Sequence, residues 1–281
     1  MANYSIKNLE YANTNTAPRS AQLANMLNSG FMDLTMGYTL LSGNGKNILV
    51  DCGVDYNIPS NKEECEMYNF MNVQMPDKVL AKVGLTPLDI DIVILTHGHF
   101  DHMGGLNYFK NAKFYIQKDE LFGAMYAMSM PKKFNRLKQA YLKEHLKMAC
   151  DLVLNERMVL LDGDSQITEG IRTVALPMGH SYCSQVVIVD VFVNGKNSTK
   201  IICGDAAYVK ENVIGIGSLE GSYVPLTSIG SPFDVVHQID KVYELAGFDL
   251  SNMVFNHDVE TYQKFPSKKY DDGLQVATIV E

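Results

Sequence analysis

Apolar and polar positions along this chain fall into short blocks whose spacing switches between that of a strand and that of a helix. Residues 92–95, Ile-Val-Ile-Leu, form a continuous apolar run without polar relief, the pattern of a strand covered on both faces. Phe114-Tyr115-Ile116 reads as another strand, and residues 186–193 as a longer one. Residues 37–41 and 46–50 pair as a hairpin through Ser42-Gly43-Asn44-Gly45. A second hairpin is expected from 186–193 through Asn194-Gly195-Lys196-Asn197 into 200–203. Helices are predicted at 77–83, closed by Gly84 and followed by Thr86-Pro87, and at 233–245. Residues 131–147 carry Phe134, Leu137, Tyr141, Leu142 and Leu146 as a helical apolar stripe. The basic side chains there, Lys132, Lys133, Arg136, Lys138, Lys143 and Lys147, read as the solvated face of that helix, and His145 as a surface or packing residue. Strands alternating with helices make this an α/β chain.

Composition narrows the class. The 281 residues are 46% hydrophobic, enough to bury a large core. No Pro/Gly/Ser-rich boundary, low-complexity tract or short repeat divides them, so a single domain over 1–281 is expected. A net charge of −8 gives no long-range attraction for nucleic acid. Residues 1–7 lack the basic-then-apolar layout of a secretory leader, and no stretch approaches the length of a membrane span. A cytoplasmic enzyme, monomer or homodimer, with no nucleic-acid or membrane partner is therefore expected. Cys52, Cys65, Cys150, Cys183 and Cys203 form no close pairs, and their odd number argues against a disulfide framework.

Candidate chemistry is concentrated directly after the 92–95 strand, in Thr96-His97-Gly98-His99-Phe100-Asp101-His102-Met103-Gly104-Gly105. His97 and His99 are two apart, so in an extended segment both imidazoles point to one side and can reach one ion. Asp101 and His102 follow where the chain must turn. Gly98 lets the backbone pass close to the ligands, and Gly104 and Gly105 allow tight packing or positive φ where a helix could begin. Mixed imidazole and carboxylate donors suit Zn²⁺ and its borderline relatives better than Ca²⁺ or Mg²⁺.

His97-x-His99-x-Asp101-His102, preceded by an apolar strand and followed by Gly104-Gly105, resembles the signature of the metallo-β-lactamase superfamily of binuclear hydrolases. The resemblance implies a four-layer αββα sandwich with ligands on loops at one sheet edge. Downstream, Pro177-Met178-Gly179-His180-Ser181 resembles the segment supplying the third histidine of the first metal site, beside His97 and His99. Ile201-Ile202-Cys203-Gly204-Asp205 resembles the strand whose aspartate bridges both metals, and Met253-Val254-Phe255-Asn256-His257-Asp258 the strand whose histidine completes the second site with Asp101 and His102. Asp51, in Asp51-Cys52-Gly53, resembles a non-ligand aspartate that braces the site. Cys52 and Cys203 sit beside aspartates that already fill the family positions and are read as structural. The implied cofactors are two divalent ions, Zn²⁺ first, with Mn²⁺, Co²⁺ or Fe²⁺ accepting the same ligands.

Tyr208, three residues after Asp205, is similar to the tyrosine that contacts the substrate carbonyl in the N-acyl-homoserine lactonase subgroup. The ending Asn256-His257-Asp258-Val259-Glu260 with Phe265-Pro266 also resembles that subgroup. This implies a lactonase whose metal-bridging hydroxide, held at Asp205, opens a small-molecule lactone or ester, with Tyr208 donating to the developing oxyanion and Asp101 relaying a proton to the leaving oxygen. The run His180-Ser181-Tyr182-Cys183-Ser184 departs from the Ser-x-Gly that commonly follows the third histidine, which keeps a glyoxalase-II-like thioesterase or another ester or phosphoester hydrolase open as the alternative. Di-iron redox relatives usually replace the second histidine with Glu and add a flavin domain, and neither feature is present. Phe31, Met32, Leu34 and Met36 in 28–37, and Met125, Met128 and Met130, fall where relatives line the acyl-tail pocket; core filling is the equal alternative.

Overall fold

A computed structural model describes residues 4–24, 26–193 and 195–281. The reading of residues 1–7 therefore lies partly outside the described residues, as does Asn194 of the second hairpin. In chain order the strands are β1 (Ser5–Pro18), β2 (Phe31–Gly43), β3 (Lys46–Val50), β4 (Ile92–Ile94), β5 (Lys113–Gln117), β6 (Met158–Leu161), β7 (Ser165–Thr168), β8 (Ile171–Pro177), β9 (Cys183–Val193), β10 (Lys196–Ile202), β11 (Met253–Val254), β12 (Ser267–Lys269) and β13 (Gln275–Val280). They form two sheets, ordered β12-β13-β1-β2-β3-β4-β5-β6 and β11-β10-β9-β8-β7.

Alternation along single strands explains how the sheets stack. Ile92 and Ile94 of β4 join Ile48 and Val50 of β3 in an interior cluster that also holds Val187, Val189 and Val191 of β9, so this face of each sheet meets the other. The intervening Leu49 and Val93 turn outward onto helices Pro76–Ala81, Lys118–Ser129 and Lys143–Leu154, through residues such as Val79, Leu121 and Ala149. Val186 and Ile188 turn outward on the second sheet, toward Val235, Ile239 and Val242 of helix Pro232–Leu245. Burying one such Val, Ile or Leu contributes about 1.5–3 kcal/mol before chain entropy offsets most of it. The outcome is the four-layer αββα sandwich, and cover on both faces is why 92–95 shows no polar alternation.

Register places the functional loops. β3, β4, β5 and β6 run parallel, with Val50 opposite Ile94 and Ile94 opposite Tyr115. β10 and β11 are also parallel, with Ile202 opposite Val254. The carboxyl ends of β3, β4, β10 and β11 then deliver Asp51, the 96–105 segment, Asp205 and His257 to one edge of the sandwich, where ligands of open parallel sheets usually collect. Among the described residues no helix is long and apolar enough to cross a membrane.

Three sequence expectations need correction. Residues 131–147 are not one helix: a 3-10 segment, Lys132–Lys138, kinks at Phe134, and α-helix resumes only at Lys143–Leu154. The break has a tertiary cause, since the Ala140 carbonyl accepts the Phe100 N–H at 2.8 Å and the Tyr141 ring stands 4.7 Å from that of His99. A continuous helix could not offer both contacts. His145 lies fully buried, and burial pushes its pKa down to about 4, so packing is its role. Gly104 and Gly105 have negative φ, −67° and −98°, and the helix Phe100–Met103 starts before them. Of the two expected roles, tight packing is the one that holds: a Cβ on Gly105 would stand 2.3 Å from the Cys52 carbonyl oxygen. In the second hairpin Lys196 and Asn197 are paired strand residues opposite Val193 and Phe192 rather than turn. The first hairpin forms as expected, with Asn44 and Gly45 at φ 51° and 70° between the paired Gly43 and Lys46.

Candidate metal centre

All seven predicted donors converge, in two groups. His97, His99, His180 and Asp205 present donor atoms within 4.8 Å of one another, as do Asp101, His102 and His257. Asp205 joins the groups with one oxygen each. Its Oδ2 lies 3.2 Å from His180 Nε2 and 3.5 Å from His97 Nε2, while Oδ1 lies 3.0 Å from His257 Nε2 and 3.2 Å from His102 Nε2. His99 Nδ1 and His180 Nε2 are 3.0 Å apart.

The opposite ring nitrogens are committed elsewhere. His102 Nδ1 meets Asp51 Oδ2 at 2.8 Å, His180 Nδ1 the Thr227 carbonyl at 2.8 Å, and His257 Nδ1 the Thr35 carbonyl at 2.9 Å. His97 Nδ1 meets the Thr96 hydroxyl at 3.1 Å. Donation outward leaves a lone pair facing the cluster, the arrangement of metal-binding histidines. His97 Nε2 is buried without a hydrogen-bond partner among the described residues, a costly state that a cation would relieve. Donors about 2.0–2.2 Å from a shared tetrahedral ion stand a little over 3 Å apart, so the spacings fit Zn²⁺-class metals as the donor types do.

Charge is unevenly divided. Burial, with neighbouring imidazoles adding to it, pushes His97 well below the usual histidine range and His99 down to about 3. Burial acts the same way on His102 and His257, but carboxylates overcome it, Asp205 foremost, and both are raised. Asp205 is itself buried, yet His102, His257 and His97 together hold its carboxyl well below the usual range.

The residues around the donors hold them. Asp51 sits at φ 66°, and its carboxylate accepts the Thr96 N–H at 2.7 Å and the Thr96 hydroxyl at 3.0 Å besides facing His102. Tyr208 lies with its ring 4.9 Å from His257 and 5.5 Å from His180, facing both groups. Burial and then the Asp205 carboxylate push its phenol well above the usual tyrosine range, so it keeps its proton. Asn212 fixes its backbone by accepting the Tyr208 and Val209 N–H groups at 3.0 and 3.1 Å. Cys52 and Cys203 are buried free thiols outside both donor groups, and burial pushes Cys203 up to about 12. Leu34 and Met36 lie buried in the core, whereas Phe31 and Met125 are exposed. Thr96 escaped sequence reasoning although it adjoins the motif, and the Thr227 and Thr35 carbonyls carry no side-chain signal at all.

A family model described as the metallo-beta-lactamase superfamily matches residues 38–127. An N-acyl homoserine lactonase of Bacillus cereus is 26% identical over 251 residues, covering 86% of this chain and 88% of that one. The solved structure of an N-acyl homoserine lactone hydrolase with its product N-hexanoyl-L-homoserine superposes with a TM-score of 0.72 at 20% identity, over 95% of this chain and 98% of the other. AidC, a dizinc quorum-quenching lactonase in complex with a product, superposes with a TM-score of 0.65 at 16% identity, over 96% and 92%. With the ordered donor set, these likenesses show a chain that resembles the metallo-β-lactamase superfamily over residues 38–127 and shares the αββα fold of the solved lactonases.

Proposed function

We propose that this protein is a binuclear metal-dependent lactonase that opens the ring of an N-acyl-homoserine lactone or a close analogue. The observation that carries the reading is Tyr208: its phenol faces both donor groups from three residues beyond the carboxylate they share. The names and products of the lactonase relatives support the same substrate class. His97, His99 and His180 would hold one divalent ion and Asp101, His102 and His257 the other, with Asp205 shared. Zinc is our choice, supported by the donor chemistry and by the dizinc relative. Bound there, the ions supply Lewis acidity and lower the pKa of water toward about 7.

The protein's own groups do the rest. Asp205 sets the spacing of the halves, and Asp51 holds the His102 tautomer through Nδ1. Water adds to the lactone carbonyl carbon, the ring C–O bond breaks, and the departing oxygen takes a proton. Tyr208 donates its hydroxyl hydrogen to the carbonyl oxygen as negative charge develops. Asp101, with 14% of its side chain exposed, is the donor-set carboxylate with access to substrate, and its Oδ2 relays the proton to the leaving oxygen. Site residues drawn from Asp51 to His257 support one catalytic domain over 1–281, and five free cysteines support a cytoplasmic setting. Zinc-loaded protein offered lactones, thioesters, aryl esters and phosphotriesters should turn over lactones fastest, with the hydroxy acid seen by NMR. Thioester turnover with negligible lactone turnover would replace this reading with the thioesterase alternative.

A further inference from the structure

Glu120 is fully buried in the first turn of helix Lys118–Ser129, outside both donor groups, and its carboxylate is filled on both oxygens. Oε1 accepts the Gly98 N–H and the Tyr141 hydroxyl, each at 2.8 Å. Oε2 accepts the Ser181 hydroxyl at 2.8 Å and the Cys183 N–H at 2.7 Å. Gly98 separates His97 from His99, and Ser181 follows His180, so one side chain ties the loop after β4 to the loop before β9. Those loops belong to different sheets and carry the three histidines of one donor group. A Cβ at Gly98 would stand 3.1 Å from the Tyr141 ring and 3.2 Å from Oε1, tighter than an ordinary contact, so glycine eases this close approach.

We infer that Glu120 is a positioning residue dedicated to the His97/His99/His180 half, as Asp51 is to His102. This deepens the metal-dependent reading and rests on it. Glutamine at 120 tests it sharply. A carboxylamide has one acceptor oxygen and one donor nitrogen, whereas each Glu120 oxygen receives a backbone N–H that cannot reverse its role. Whichever way the amide turns, its nitrogen opposes the N–H of Gly98 or of Cys183. One of the two histidine loops is then displaced, while Asp101, His102 and His257 keep their supports.

The experiment loads wild type and Glu120→Gln with cadmium, reads one ¹¹³Cd resonance per site, and follows chelator competition. The expected result is two resonances in wild type and, in the variant, an affinity lowered about 10–100-fold at the three-histidine site alone. A generally loosened fold would weaken both sites together, and that outcome overturns the assignment, as does a variant with both affinities at wild-type level. Wild type that takes up no cadmium or zinc would sink the metal-dependent reading together with this one. If Glu120→Gln fails to fold, Ser181→Ala, which removes a single contact, must weaken the same site selectively; unchanged affinity there overturns the assignment.

Discussion

His97 and His99 on one side of Asp205, and His102 and His257 on the other, respond in opposite directions to the same degree of burial. The first pair is pushed down because desolvation, reinforced by neighbouring imidazoles, outweighs the nearby carboxylates. The second pair is raised because Asp205, with Asp101 beside it and, for His102, Asp51 also, supplies negative charge that outweighs desolvation. His97 and His99 therefore offer neutral lone pairs to a cation, whereas His102 and His257 are already partly paired within the protein. The geometry points to different supports as well: each half has one histidine held by a backbone carbonyl, but Glu120 ties the two loops of the first, whereas Asp51 faces His102 in the second.

The largest effect should come from removing what the halves share. Asp205→Ala takes one oxygen from each, so metal content should fall at both sites and turnover should drop to background, measured by elemental analysis and lactone assay on the same preparation. A variant that keeps one tightly bound ion per chain would mean that Asp205 serves a single half.

Next is Tyr208, which faces both halves but belongs to neither donor group. Tyr208→Phe should keep full metal content and lower kcat for lactone from about tenfold to 10²–10³-fold, depending on how far the metals already polarise the carbonyl. Wild-type kcat in a fully loaded variant would make Tyr208 a packing residue.

Asp51→Asn sharpens the comparison most, because asparagine tolerates the positive φ of this position and leaves the backbone unstrained. Its expected signature mirrors that of Glu120→Gln: metal affinity weakened about 10–100-fold at the Asp101/His102/His257 half, with the three-histidine half retained in a chelator titration. Equal weakening of both halves would erase the distinction between the two supports. The smallest effect belongs to Cys203→Ser, where a buried hydroxyl costs about 1–3 kcal/mol of stability in thermal unfolding and metal content stays unchanged. Loss of metal as complete as in Asp205→Ala would make Cys203 a ligand.

Much of this arrangement was legible because the fold writes it locally. Strand β4 shows as an unbroken apolar run since both faces are covered, and the donors follow strand ends in chain order, so each could be sought after the last. Tyr208 was visible only through its distance from Asp205. The break at 139–142 was hidden because the apolar spacing of Leu137, Tyr141 and Leu142 satisfies a helix equally well; only contacts to Phe100, His99 and Glu120 pull the segment out of line. Glu120 escaped for a similar reason. An acidic residue in the first turn of a helix is ordinary, and its four partners lie between 21 and 63 residues away.

If two ions held in these halves open a lactone, metal content and turnover must rise and fall together. Elemental analysis of gel-filtered protein, paired with lactone turnover before and after chelation, tests it most directly. Close to two ions per chain are expected, with hydrolysis that disappears with them and returns on adding zinc. Active protein with a metal stoichiometry near zero would contradict that expectation.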